Sequence, residues 1–233
     1  MQLLTTGTNA KTIKSDSGGV YRTAILYLAP ATQAGRINIC PLSAAAQCRT
    51  ACLYTAGRGR MNSVQRARIR KTVFYRDKRS QFIDTLHQDI EQFKRQCARA
   101  GVIPAIRLNG TSDIPWERYG VPQQHPEIQF YDYTKQSARL ENLPANYHMT
   151  LSYSAADLMY GAGILDAGRR YNANIAVVFR DRLPPYFNDT PVIDGNAHDL
   201  RFTDPNGVIV GLTAKGPAKQ DKTGFVVDWE TAA

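Results

Sequence analysis

The chain has 233 residues, 43% of them hydrophobic, and a formal net charge of +9. This length buries a sizeable core without disulfide staples, and the composition excludes a disordered chain. No apolar run approaches the roughly 18 residues of a membrane-crossing helix, and the N-terminal stretch lacks the apolar core of a signal peptide, so a cytosolic protein is expected.

Residues 1–20 are polar and glycine-rich and predict an extended arm over the surface. Residues 22–28 (RTAILYL) read as the first strand, closed by Ala29-Pro30. Residues 31–60 are mostly loop and carry three of the four cysteines. The pattern over 62–100 is helical, with a break expected near 77–80. Phe82, Leu86, Ile90 and Phe93 recur at helical spacing and predict a core-facing stripe. Gly101 is the expected C-cap.

From there the pattern alternates. Strands are predicted over 102–108, 127–131, 147–152, 174–180, 191–194 and 208–212, with a helix over 155–171. Strand, polar loop, helix, strand is the mark of parallel βαβ units. The expected architecture is one α/β domain over 1–233. It would be a small or partial (β/α) barrel of the TIM type, with six or seven mostly parallel strands and the cysteine loop after the first. Polar residues gather just after the predicted strands: Asn109 to Asp113, Asp132 to Lys135, Ser152, Arg180, and Asp194 to Asp199. Parallel α/β folds build their sites at that carboxyl end.

The sharpest chemical signal is Cys40-x7-Cys48-x3-Cys52. Cytosolic cysteine clusters are more often metal-binding or catalytic than disulfide-bonded. Thiolates suit iron–sulfur clusters or zinc. Structural zinc wants four protein ligands, often in CxxC pairs, and no such pair is present. Three cysteines on one loop instead suit a [4Fe–4S] cluster with one iron open to a small molecule. Cys97 falls on the helical stripe and reads as core packing.

Residues 55–60 (TAGRGR) place glycines between basic residues, where a backbone can approach a cluster or phosphate; a glycine turn before a helix explains them as well. Arg107, Asn109, Asp113, Asp132, Lys135, Arg180 and Arg58 are the expected cofactor-binding residues. Ser112 and Asp113 also fit a simple N-cap. His148 and His198 are the histidines best placed for chemistry; His198, set between carboxylates, reads as a base, a metal ligand or an ordinary loop histidine. No P-loop, HExxH or strand-borne GxGxxG is present.

Much of the positive charge lies between Arg58 and Arg79. Such a patch attracts phosphates or an anionic cofactor, or is a solvated helix face. A rival function follows: a nucleic-acid-binding protein with structural zinc on the cysteines plus Cys97 or His87. A third is a non-catalytic virion or regulatory component stabilised by its cluster.

The segments ACLYTAGRGRM, RLNGTSDIPWE, FYDYTK, LPANYH and PVIDGNAHDLRF resemble the bacteriophage gene product 88 family, over nearly the whole chain. The resemblance implies a phage-encoded protein made in the host bacterial cytoplasm. It supplies no reaction. More distantly, the ligand count, loop position and fold are similar to radical S-adenosylmethionine enzymes, which hold a three-cysteine cluster after the first strand of a partial barrel. That resemblance implies S-adenosylmethionine as a ligand of the open iron. The family's CxxxCxxC spacing is absent here. The chain reads as a monomer with no membrane partner.

Overall fold

The chain opens with two elements that its local pattern does not signal. The computed structural model describes residues 1–7, 10–52, 54 and 57–228. In it β1 (Leu4–Thr6) pairs antiparallel with β2 (Tyr21–Leu26), and α1 (Ala10–Asp16) lies between them. Residues 1–20 are therefore not an extended arm. Leu3 and Leu4 are buried, but two apolar residues are too few to show a period. Asp16 Oδ1 accepts the Thr23 N–H at 2.8 Å and its hydroxyl at 2.7 Å, which pins the end of α1 to β2.

The long helical stretch is two helices, α2 (Asn62–Asp77) and α3 (Arg79–Ala100), meeting at Lys78. The stripe on α3 buries Phe82, Leu86, Ile90, Phe93 and Cys97, as its spacing predicts. Gly101, at φ 65°, ends it. Its N–H bonds the Ala98 carbonyl at 3.2 Å, and the Val102 N–H bonds the Cys97 carbonyl at 3.1 Å.

Then follow β3 (Ile103–Arg107), β4 (Gln129–Thr134), β5 (Tyr147–Ser152), α4 (Leu158–Tyr171), β6 (Ile175–Phe179), β7 (Tyr186–Phe187), β8 (Thr190–Asp194), β9 (Ile209–Thr213) and β10 (Val226–Val227). The sheet order is β1-β2-β3-β4-β5-β6-β9-β8-β7, with β10 beside β6. Pairing is parallel except at β1–β2 and β7–β8. β5 pairs with β6 at Ile175 and Ala176, whereas β10 takes Val178 and Phe179. β5 and β6 therefore part toward their carboxyl ends, and β10 fills the gap. The sheet does not close: β1 and β7 are its edges, and no pairing joins them among the described residues. The ten strands among the described residues exceed the six or seven expected, because the short β1, β7 and β10 are too brief to show alternation. With β1 ahead of it, the strand preceding the cysteines is the second in the chain.

The two faces of the sheet differ. Ile106, Leu108, Phe130 and Met149 pack on the α3 stripe. Leu151, Val177 and Phe179 pack with Ile164 of α4. Alternation sends Arg107, Tyr133, Lys135, Ser152, Ala176 and Val178 to the opposite side, where they line a cavity. Tyr131 and Ala105 on that side are capped by Leu200.

Candidate metal and ligand site

Because β2, β3, β4, β5, β6, β9 and β8 run parallel, their carboxyl ends share one rim. A cavity of about 400 Å³ opens there. Cys40, Cys48 and Cys52 all line it, together with Arg107, Asn109, Asp113 and Lys135. Arg58, Asp132 and Arg180 do not.

The cysteine loop is stitched to two strand ends. The Asp113 N–H donates to the Ile39 carbonyl at 2.8 Å, and the Ser154 hydroxyl donates to the Ala46 carbonyl at 2.9 Å. Cys40 precedes a turn of 3-10 helix over Pro41–Ser43, closed by the Ser43 N–H on the Cys40 carbonyl at 3.0 Å. The Cys40 thiol points at the Thr111 carbonyl, 3.7 Å away, and the Cys48 thiol at the Ser43 carbonyl, 3.9 Å away. On the far side of the loop, Arg68 donates to the Tyr54 carbonyl at 3.2 Å and lies over the rings of Tyr27 and Tyr54. Of the stretch over 55–60, Thr55 and Ala56 lie outside the described residues, as does Leu53.

Burial pushes the Cys40 thiol up to about 11 and raises Cys52. Without a metal both are neutral thiols, so metal binding would expel their protons. Among the described residues, only Glu91, His125 and Glu127 have candidate ligand atoms all within 4.8 Å of one another. The three thiols therefore do not converge on one preformed single-ion site. A four-iron cluster asks for something else, since it spreads its thiolates over separate irons.

Lys135 is the cation of this part of the cavity. Its Nζ donates to Ser152 Oγ at 3.3 Å. Burial alone would lower its ammonium, but Cys48, Tyr160, Asp113 and Cys40 outweigh burial and hold it above the ordinary value. Arg107, 6% exposed, donates to Asp199 Oδ2 at 2.8 Å and lies 4.5 Å over the Tyr133 ring. Burial would raise Asp199, yet Arg107 and Lys11 pull it down to about 2.

Two expected ligand-binding groups are already occupied by the protein. The Asn109 amide oxygen accepts from Ser112 Oγ, the Ile114 N–H and Trp116 Nε1, and its NH₂ donates to the Ile114 carbonyl and Asp132. That exhausts an amide. Asp113 accepts from Thr134 Oγ1, the Lys135 N–H and Arg139. Both residues shape the loop after β3. Asp132 sits behind Asn109, fully buried, and accepts the Tyr147 hydroxyl at 2.6 Å. Arg180 binds Asp228 and the carbonyls of Lys219 and Asp221, tying down the C-terminal segment. Arg58 is exposed on a short turn over Gly57–Arg60.

The proposed fourth zinc ligands are elsewhere. Cys97 is fully buried in the main core. His87 Nδ1 is 2.8 Å from His125 Nε2. Around His125, Lys94 bridges Glu91 and Glu127, an ion-pair network that does not line the cavity. His198 does line the cavity; its Nδ1 accepts the Leu200 N–H at 3.2 Å. His148 does not; burial and then Arg201 push it down to about 4.

Lys11, Tyr133 and Lys215 also line the cavity, and local sequence reading does not find them. Lys11 and Lys215 are single charges in polar segments, brought to the site by α1 and by the loop after β9. The one available signal was Tyr133, within the quoted FYDYTK segment and alternating with Asp132 across β4.

No helix among the described residues is long and apolar enough to cross a membrane. No curated protein and no solved structure matches the chain. A family model described as Gene product 88 does match, over residues 2–228. The chain thus belongs to the bacteriophage gene product 88 family.

Proposed function

We propose that this is a phage-encoded iron–sulfur protein holding a [4Fe–4S] cluster through Cys40, Cys48 and Cys52, its fourth iron open to a small molecule in the cavity. The observation that carries this is the arrival of all three cysteines, with Lys135 and Arg107, at one cavity of about 400 Å³. That volume suits a small metabolite or cofactor. Lys135 and Arg107 lower the cost of holding an anionic cluster in a partly dry site. The open sheet is read as a partial barrel with the cysteines in the loop after its first parallel strand.

The zinc and nucleic-acid reading has less support. It needs a fourth ligand, and both candidates lie outside the cavity lining, Cys97 in the core and His87 against His125. A purely structural cluster would not call for an open cavity beside it that also holds Lys135 and Arg107. Radical chemistry on S-adenosylmethionine is the enzymatic form of this proposal, favoured by three ligands and one open iron. The reduced host cytoplasm is the compartment in which such thiolates survive.

The test is anaerobic reconstitution of the whole chain. Roughly four iron and four sulfide per chain are expected, with most iron lost on Cys→Ala at any of the three positions. Stoichiometric zinc with no iron overturns the reading.

A further inference from the structure

At the amino end of β4, away from the rim that carries the cysteines, α3 meets the loop that leads into that strand. One ligand-type atom each from Glu91, His125 and Glu127 lies there within 4.8 Å of the other two. Glu91 stands on α3, and His125 and Glu127 on the loop before Gln129. None of the three lines the cavity. His125 is 4% exposed. Its Nδ1 is 3.1 Å from Glu91 Oε1, and its Nε2 is 2.8 Å from His87 Nδ1, one helical turn before Glu91 on α3. The loop is fixed in place, because Asn146 Nδ2 reaches the carbonyls of Pro122, His125 and Ile128. A cation already sits at this point. Lys94 Nζ is 3.4 Å from Glu91 Oε1, the same oxygen that faces His125, and it also bonds Glu127. The charges acting on Lys94 are those of Glu127 and Glu91, so two carboxylates share one ammonium. That ammonium is a hydrated point charge on a flexible stem, 36% exposed and free to swing into water.

We infer that Glu91, His125 and Glu127 form a site for a divalent transition-metal ion of the zinc type, which displaces Lys94 when it binds. An imidazole nitrogen beside two carboxylates is a donor set for zinc; calcium and magnesium want oxygens alone. Bonds of about 2.0–2.2 Å place tetrahedral ligand atoms roughly 3.4 Å apart, so rotation of the two glutamate side chains has little left to close. Three protein ligands leave a fourth position to water. With the ion on His125 Nδ1, the ring proton belongs on Nε2, where it donates to His87 Nδ1. That outer bond orients the ring, as it does for ligating histidines generally. The ion would staple α3 to the loop before β4. It draws on none of the three cysteines, so it stands or falls apart from the cluster.

The experiment is calorimetric titration with zinc chloride of the full chain carrying Cys40→Ala, Cys48→Ala and Cys52→Ala, so that these thiols do not compete. About one zinc per chain should bind. In this background Glu127→Gln should weaken binding at least about tenfold, since even outer-shell partners are worth that much. Lys94→Met, which removes the competing charge, should tighten it about tenfold. Asp166→Asn, on the exposed side of α4, should change it less than about twofold. Glu127 is exposed and Lys94 half-buried, so both substitutions also report in the otherwise wild-type chain if the cysteine variant folds poorly. There Glu127→Gln should remove about one zinc per chain and leave what the thiols hold. Zinc uptake unaffected by Glu127→Gln, or left unchanged or weakened by Lys94→Met, overturns the inference. So does a folded chain without the three thiols that binds no zinc.

Discussion

The backbone N–H of Asp113 donates to the carbonyl of Ile39 at 2.8 Å, one residue before Cys40. This bond joins the loop after β3 to the cysteine loop after β2. The Asp113 side chain meanwhile holds Thr134, Lys135 and Arg139 from β4 and the turn beyond it. One residue thus sets the relation of the cysteines to three neighbouring segments.

Asp113→Ala should therefore be strongly destabilising. Arg139 NH1 sits 2.9 Å from Asp113 and NH2 2.8 Å from Glu117, all three nearly buried. Removing one carboxylate leaves a half-paired buried guanidinium, at a cost of about 3 kcal/mol. Asp166→Ala, which breaks the exposed Arg170 pair on α4, should cost below about 0.5 kcal/mol. Urea denaturation of the two variants checks the contrast; equal losses would remove Asp113 from its structural role.

Cys97→Ala separates core cysteine from ligand cysteine. Cys97 packs in the main core with Phe93 and Ile90. Its loss should cost about 1 kcal/mol through a small cavity and leave the iron content unchanged. An iron loss matching that of Cys40→Ala would make Cys97 a ligand.

The elements legible in the sequence are those with enough length to show a period. The α3 stripe, the break at Lys78, and the strand over Tyr147–Ser152 follow from apolar spacing alone. So does the common rim, because parallel strands force their following loops together. What local pattern cannot carry is the fate of a polar side chain. Asn109 and Asp113 look like ligand-binding groups in RLNGTSD, and they do line the cavity. Their hydrogen bonds, however, run to Trp116, Thr134 and Arg139, residues whose approach depends on the whole fold. Lys11 reaches Asp199 across 188 positions, and no short-range reading links them.

Two buried groups give opposing pH dependences. Asp132 is raised to about 6 by burial, against the combined pull of Arg107, Tyr147 and Arg139. Its folded form holds a proton that the unfolded chain has released, so its contribution to stability is present at low pH and falls as pH rises from about 4 to 6. His148, pushed down to about 4, is neutral when folded, so its contribution is present above about 6.5 and is lost as pH falls toward 4. Asp132→Asn should then steepen the acid-side loss of stability, leaving His148 unopposed, and His148→Gln should flatten it. Each difference should be on the order of 2 kcal/mol between pH 4 and 6. Unfolding titrations across that range decide it; parallel curves for both variants would reject the assignment.

The basic segment should bind nucleic acid weakly. Arg68 lies over Tyr27 and Tyr54, Lys71 donates to the Leu3 carbonyl, and Arg76 pairs with Asp77. These three cations are spent on the fold. Arg66 and Arg70 remain exposed on α2, with Arg58 and Arg60 on the turn before it and Lys78 and Arg79 at its end, the last lying over the Tyr75 ring. Each phosphate neutralised releases counterions, so the non-specific binding these exposed cations give should fall steeply with salt and vanish by about 200 mM. Fluorescence anisotropy with a short labelled duplex measures it. Tight binding at that salt, abolished by Arg66→Ala with Arg70→Ala, would move the nucleic-acid reading to the front.

The open iron is the last and most demanding expectation. Three thiolates leave one iron of a [4Fe–4S] cluster without a protein ligand, and the cysteine part of the cavity also holds Lys135. An amino acid's amine and carboxylate can chelate such an iron. Lys135, whose Nζ is directed at Ser152, stands where it can meet a carboxylate. On this reading one electron from the reduced cluster would break the sulfur–C5′ bond of S-adenosylmethionine, giving methionine and a 5′-deoxyadenosyl radical that would become 5′-deoxyadenosine by taking a hydrogen atom from a substrate C–H bond or from the buffer. Lys135→Met should lower the cleavage rate about tenfold while the iron content holds, because the lost contact orients the ligand and does not hold the metal. The cysteine spacing departs from CxxxCxxC, so the loop presents its irons differently, and the spectrum must decide first. Adding S-adenosylmethionine to the reduced cluster should change its electron paramagnetic resonance signal. An intact cluster with no spectral change and no 5′-deoxyadenosine would mean that the open iron serves another ligand, and that the protein is not a radical enzyme of this kind.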